Sequence, residues 1–387
     1  MKPLGLNTLL HRVREIADSV IVSNALELDE NAGWPAKNMA ALMDADLGAL
    51  VIPKVHGGHG HGLYALTRIC EIIGRVCPST AICYGMHSVG ASVISANPNV
   101  YQKEHFITPI CEGKHITTLS LSEPGTGAHF YLPQTKIVAG KDSYIANGVK
   151  TFVTNGGHAD SYVISGVNFN KESDLDEFSC FVLPAETSGM TWGEEWDGLG
   201  MRGNSSRTLT LNRVKINTNC LLGNEGDQFW YMFHVVAPFF LTAMSGTYSG
   251  LASEAFSIAC EHIKSRSHSH NDRALASVSL VQHRIASLWG KLKMMEQFVH
   301  HSAKQFDSGS DDALLNILTA KAEVADTAVF LVNEIMTLAG GIGYARKSKL
   351  GKMLRDVRAA HVMSPTTDLL RLWIGRMILE QPILTDE

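Results

Sequence analysis

The sequence predicts an α+β protein in three consecutive parts: an N-terminal helical domain over 1–115, a central β-domain over 116–220 and a C-terminal four-helix bundle over 221–387. Two changes of texture predict it. Near both ends, apolar residues recur at three- and four-residue steps, the mark of amphipathic helices. In the middle they alternate or cluster as β-branched runs, the mark of strands. Composition is the third observation. Of 387 residues, 45% are hydrophobic and 18% charged, the balance of a chain with a large buried core.

Leu9, Val13, Ile16 and Val20 make one apolar helical face, and the segments 63–76 and 80–95 keep the same period. Pro53, Pro78 and Pro98 mark breaks between these elements. The runs 117–121, 143–146, 151–154, 180–183 and 208–211 read as strands. Asn147-Gly148 and Asn155-Gly156-Gly157 supply turn chemistry between them, and 171–177 reads as a charged loop. Beyond Asn224-Glu225-Gly226, four long helices fit over 227–267, 275–306, 311–340 and 350–380. Short links at Ser308-Gly309-Ser310 and Gly340-Gly341-Ile342-Gly343 favour an antiparallel bundle.

Charge and hydropathy exclude two partner classes. A net charge of −5 offers no basic footprint for nucleic acid. The most apolar stretch, Val235 to Met244, is shorter than the ~18 residues a span needs and reads as a core helix, so no membrane is expected. Glu15 and Asp18 interrupt any signal-like apolar region, which makes a cytoplasmic location the expectation. The seven cysteines form no CxxC pair and read as buried free thiols in a reducing compartment.

Three segments carry chemistry. The stretch from Leu119 through Leu121, Ser122, Glu123, Pro124, Gly125 and Gly127 to His129 ends a strand in a Pro/Gly turn, which exposes backbone N–H groups. The stretch Asn147 to Gly156 places Phe152 and Thr154 two residues apart, on one strand face. The stretch Gly198 to Leu209 is a Gly-rich polar loop entering a strand. Taken singly, each reads equally as an ordinary turn, hairpin strand or connection.

In this order and spacing, they resemble the acyl-CoA dehydrogenase family. That family carries a T-E-P-G-x-G-S-D-like loop, a K-x-W/F-I/V-T-N strand and an L-G-x-R-G-S-x-T loop. The likeness extends to Pro53 with Gly57, Gly58 and Gly60, to Gly340-Gly341-Ile342-Gly343-Tyr344, to Leu354-Arg355-Asp356-Val357-Arg358 and to Thr366-Thr367-Asp368-Leu369-Leu370-Arg371. It spans essentially the whole chain.

The resemblance implies an FAD flavoprotein, dimeric or tetrameric, with FAD between the β-domain and the bundle. It implies flavin contacts from Leu119, Leu121, Ser122, Gly127 and Ala128, with Phe152 and Thr154 flanking the ring. Arg266 would reach the FAD pyrophosphate from a neighbouring subunit, a task suited to a planar guanidinium. Gly340 and Gly341 would pass the adenosine half, Thr337 replaces a common glutamine facing FAD, and Thr366 and Asp368 would contact the FAD near the base position. An acyl-CoA or acyl-carrier thioester is the implied substrate, with an electron-transfer partner or flavin reductase.

One element departs. The family removes an α-proton with a glutamate while hydride leaves the β-carbon for the flavin. Here Val362-Met363-Ser364-Pro365-Thr366 puts Ser364 at that position, and Pro238 to Thr242, the other family location for the acid, holds none. A serine without a partner base does not deprotonate usefully near neutral pH, whereas general base catalysis contributes ~10²–10⁴-fold. Ala128-His129 also replaces the usual Ser-Asp. Histidines are the candidates to fill the gap: His87 on a helix, His129 on the flavin loop and His361 three residues before Ser364. The cluster His56, His59 and His61 falls on a structural glycine turn without an acid or thiol to complete a metal set, so no metal is expected. Three functions stay open: α,β-dehydrogenation of an acyl thioester with a displaced base, hydroxylation by a flavin-dependent monooxygenase using reduced flavin and O₂, or a non-catalytic flavin-binding subunit of a paired dehydrogenase.

Overall fold

A computed structural model of the chain describes residues 3–168, 178–269 and 272–384; the charged loop expected at 171–177 lies outside them. The first part is helical: α1 (Leu6–Ile16), α2 (Val22–Asn31), α3 (Ala36–Asp44), α4 (Leu63–Val76), α5 (Pro78–Ala96) and two short pieces, α6 (Val100–Gln102) and α7 (Thr108–Cys111). A π-helical turn joins α1 to α2, so the apolar face from Leu9 to Val20 runs on beyond one straight helix. Pro78 opens α5 at its first turn, where its missing N–H is not needed. Every residue of α5 from Pro78 to Ser95 is buried, which makes it the central rod of this domain.

The middle part is a sheet of β1 (Thr117–Ser120), β2 (Lys136–Ala139), β3 (Ser143–Val153), β4 (Ser161–Asn168), β5 (Phe178–Pro184), β6 (Met190–Trp192), β7 (Arg207–Asn217) and β8 (Leu221–Leu222). Its order is β6-β7-β3-β2-β4-β5-β8, with β1 paired parallel to β4. One expected turn is absent. Asn147-Gly148 lies inside β3, at a register shift against β7. Gly148 is needed there because a Cβ would meet Thr135 Oγ1 at 2.4 Å. Asn147 does not turn the chain; its Oδ1 accepts the Arg213 N–H at 2.8 Å.

The last part begins with α8 (Gln228–Tyr231), a π-helical turn and α9 (Ala237–Ser265). The segment Gln228–Ser265 has the length and apolarity to cross a membrane, but 89% of its most apolar window is buried inside the fold, as a core helix requires. α10 (Ser279–Asp307) and α11 (Ala313–Tyr344) follow. The expected fourth helix is instead three pieces: α12 (Lys349–Val357), α13 (Ala359–Val362) and α14 (Thr367–Ile378). Pro365 accounts for the last break, since it lacks an N–H and bars the preceding residue from helical backbone. Thr366 then caps α14, its hydroxyl accepting the Leu369 N–H at 3.4 Å.

Polar joints lock the parts together. Asp307 at the end of α10 accepts from Leu63 N (2.6 Å) and Tyr64 N (2.9 Å), the first donors of α4. Arg355 of α12 forks onto Asp29 of α2 and donates to Leu199 O at 2.9 Å. Asp356 accepts the Met201 N–H at 2.7 Å. The histidine turn is a joint as well. Leu4 N–H donates to His59 Nδ1 at 3.1 Å, so Nε2 carries the hydrogen toward Asp46 O at 2.9 Å, and His61 Nε2 meets Leu4 O at 2.8 Å.

Candidate active site

The three parts meet around a cavity of about 590 Å³, within the range of small-molecule sites. The β-domain supplies Leu119, Leu121, Ser122, Glu123, Pro124, Gly125, Gly127, Phe130, Thr151, Phe152, Thr154, Trp196, Gly200, Met201, Asn204 and Ser206. From α5 come Ile82 and Met86. The opposite wall is Val236, Phe240, Ala359, Val362, Met363 and Ser364.

The loop after β1 is fastened from behind. Buried Glu123 accepts from Gln134 N (2.6 Å), Thr135 N (3.0 Å), Thr135 Oγ1 (2.7 Å) and the Lys150 ammonium. Lys150, fully buried, also donates to Ser165 O at 2.7 Å. Desolvation pushes the Lys150 pKa down and Glu123 opposes that shift. Held this way, the loop turns along the cavity, which it lines with Ser122, Glu123, Pro124, Gly125 and Gly127. Gly125 (φ 88°) and Gly127 (φ 55°) adopt the left-handed backbone that this turn needs.

On β3, the register slips between Lys150 and Val153, and Phe152 takes φ 54°. Plain strand alternation is therefore not what aligns Phe152 and Thr154; the bulge does. Both line the cavity. The Phe152 ring is 65% exposed and meets Trp196 edge-on at 6.2 Å, while Thr154 is buried, its carbonyl accepting from Thr118 Oγ1 at 2.9 Å.

Ser364 stands on the turn between α13 and α14, and that turn is also held from below. Lys321 of α11 donates to Pro365 O at 2.8 Å and Met363 O at 3.4 Å. Burial lowers its pKa to about 8. Among the described residues lining the cavity, Glu123 is the single ionisable one, and its oxygens are already taken up by four donors.

The histidine candidates lie elsewhere. His87 is wholly buried; Thr117 N–H donates to its Nδ1 at 3.2 Å and its Nε2 meets Gly48 O at 3.0 Å. His129 is exposed, its ring against Tyr131 at 5.7 Å. His361 faces away, bridging Asp326 Oδ1 (2.8 Å) and Arg358 Nη1 (2.7 Å). None of the three lines the cavity, and Ala128 does not either. Arg266, Thr337, Gly340, Gly341 and Asp368 are exposed on the bundle, and Thr366 is engaged in capping α14; all six lie outside the cavity.

Models of three acyl-CoA dehydrogenase domains match the chain in register: N-terminal over 6–114, middle over 118–214 and C-terminal over 242–379. The chain belongs to the acyl-CoA dehydrogenase family. Cyclohex-1-ene-1-carbonyl-CoA dehydrogenase of Geobacter metallireducens is 28% identical, over 96% of this chain and 97% of that protein. The 3-(aryl)acrylate reductase of Clostridium sporogenes is 26% identical, over 95% and 96%. Butyryl-CoA dehydrogenase of Megasphaera elsdenii shares the fold at TM-score 0.91 and 21% identity, covering 97% of this chain and 98% of that one.

Acyl-CoA dehydrogenases are FAD flavoproteins, and the cavity suits that cofactor on its own chemistry. Two residues of its wall, Thr151 and Asn204, each carry a buried side-chain polar atom, Oγ1 and Nδ2, without a partner among the described residues. Buried polar atoms are normally satisfied, so they call for a ligand with polar edges. Phe152, Thr154 and the backbone of Leu119 to Gly127 are the residues that would hold the ring system. Thr151, Trp196, Asn204, Ser206 and Lys321 were not singled out by the motif reading. The first four lie inside or beside the quoted motifs, where spacing could have found them, but Lys321 sits in an ordinary helical stretch with no such signal.

Proposed function

We propose that the chain catalyses α,β-dehydrogenation of an acyl thioester, with a non-standard base. The observation that carries this reading is the single cavity in which the loop Leu119 to Gly127, the Phe152–Thr154 pair and the Ser364 turn face one another. When bound, FAD supplies a two-electron acceptor for hydride. The protein's share is to receive the acyl group against the apolar side chains of Phe240, Met86 and Val362, which line the cavity. In this reading the Ser364 backbone N–H donates to the thioester carbonyl, which acidifies the α-carbon. No cavity carboxylate is free to take the α-proton, since the groups around Glu123 hold it as an acceptor already. Proton removal then falls to a displaced base outside these lining residues, such as a carboxylate of a paired subunit, which takes the α-proton as hydride leaves the β-carbon.

The monooxygenase reading shares the missing base but loses the histidines that would have served it, since His87 and His129 lie outside the cavity. Anaerobic stopped-flow mixing of the FAD-loaded protein with a panel of acyl-CoA thioesters tests the proposal. Loss of visible flavin absorbance within the panel supports dehydrogenation. If no thioester bleaches the flavin, and chemically reduced protein consumes O₂ with hydroxylation of an added amine or phenol, the dehydrogenase reading is overturned. Ser364→Glu should raise the bleaching rate by ~10²-fold or more, the contribution of a placed general base.

A further inference from the structure

Asn204 is the least explained polar group at the cavity. It is 0% exposed, yet its Nδ2 has no partner among the described residues. Its amide cannot simply be flipped to cure this. Ser206 N–H donates to Asn204 Oδ1 at 3.0 Å, so the oxygen is fixed on that side and the NH₂ group points the other way. Its main chain is pinned too: Asn155 N–H donates to Asn204 O at 3.0 Å. The segment around it is strained to keep this pose, with Met201 at φ 53° and Ser205 at φ 50°. Non-glycine residues in left-handed backbone persist where the surroundings enforce them, often at ligand sites. Ser205 is enforced by its hydroxyl, which donates to Gly156 O at 2.9 Å. The family motif this loop resembles carries serine at the position of Asn204, whose shorter side chain brings no amide donor.

We propose that Asn204 Nδ2 is a hydrogen-bond donor to a carbonyl oxygen or ring nitrogen on the polar edge of the flavin, beside Thr154. The inference rests on the FAD reading above. Its chemistry is limited: a rigid amide N–H fixed by its own oxygen takes an acceptor at one place, as the edge of a flat ring offers. A donor at that edge stabilises the extra electron density of the reduced ring more than the oxidised ring. Asn204 therefore both anchors FAD and raises its reduction potential.

The test uses the purified holoprotein and its apoprotein. Asn204→Ala removes the donor, and Asn204→Ser keeps an oxygen to accept the Ser206 N–H while its shorter hydroxyl loses the reach of the amide. Thermal melting of the apoproteins checks that each folds. FAD dissociation constants, read by flavin fluorescence, should rise about five- to tenfold in both variants, the loss of one hydrogen bond. The equilibrium constant for two-electron reduction against a reference dye should fall about tenfold, which is about 30 mV. If both quantities match the wild type in a folded variant, the inference is overturned. It is also overturned if FAD binding and potential stay unchanged while binding of acetoacetyl-CoA to the holoprotein weakens, because the donor then belongs to the acyl group. Failure of the wild-type protein itself to bind FAD would instead sink the reading of the cavity as a flavin site.

Discussion

At the scale of single residues, His87 shows how partners decide a role. The Thr117 N–H occupies Nδ1, so the ring is neutral with its hydrogen on Nε2 toward Gly48 O. Burial lowers its pKa from 6.5 to about 4. The sign follows. Between those values the unfolded chain binds a proton that the folded chain refuses, so this stability is present above pH 6.5 and lost as pH falls toward 4. Full loss amounts to about 3 kcal/mol at ~1.4 kcal/mol per unit. His87→Ala should lower urea-unfolding stability by about 2–4 kcal/mol at pH 7. The gap to wild type should narrow by most of that 3 kcal/mol estimate at pH 4; an unchanged gap across this pH range would refute the buried neutral histidine. Glu123 and Lys150 make the second residue-scale case. Glu123→Gln leaves a buried ammonium half-paired and should cost about 3–5 kcal/mol, whereas adding Lys150→Met should recover much of it. Additive losses in that double-mutant cycle would show the two are not coupled. Neither role was legible in the sequence. It placed His87 on a helix and Glu123 in a loop correctly, but their partners lie 30 and 27 residues away on other elements.

At the scale of elements, what the sequence showed was period and what it hid was interruption. Helical faces and strand runs appear at their observed places because a 3.6- or 2-residue repeat survives in one dimension. The breaks that build the site are not periodic. The bulge in β3 that brings Phe152 and Thr154 to the cavity and the Pro365 turn that brings Ser364 there both depend on pairing across space. The Pro365 turn gives an element-scale prediction through Lys321. Its folded pKa of about 8 lies below the unfolded 10.5. The buried charge therefore penalises folding in full below pH 8, and the penalty lifts as pH rises toward 10.5, where the unfolded chain alone keeps the proton. Wild-type stability should gain up to about 3 kcal/mol over that window from this group. Lys321→Met should lack the gain, and by stranding the Met363 and Pro365 carbonyls it should slow flavin bleaching by thioesters more than it lowers Tm. Equal pH profiles for both proteins would remove Lys321 from the turn's support.

At the scale of the whole molecule, the residues split into two groups that the sequence could not separate. Leu119, Leu121, Ser122, Gly127, Phe152, Thr154 and Ser364 converge on the cavity. Arg266, Thr337, Gly340, Gly341 and Asp368 lie outside the cavity, exposed on the bundle. The bundle helices also leave Trp289 (54%), Met294 (75%), Ile342 (61%) and Tyr344 (79%) open to solvent, apolar groups that a second copy could cover. Our proposal is a homo-oligomer in which Arg266 completes the FAD site of a neighbour, its fork matched to the pyrophosphate. Light scattering should then give a mass of two or four chains, and dilution below the dissociation constant of the oligomer should release FAD. Arg266→Ala should raise the FAD dissociation constant at least tenfold without moving the apoprotein Tm, since the side chain is exposed at the end of α9. Mixing Arg266→Ala with Asn204→Ala protein distinguishes a neighbour's arginine from the chain's own. With the arginine acting across the interface, exchanged hybrids pair each defect differently: one site in a hybrid dimer carries both lesions and the other carries none. Half the sites should regain wild-type FAD affinity. A uniform weak affinity in the hybrids would place Arg266 in its own chain's site.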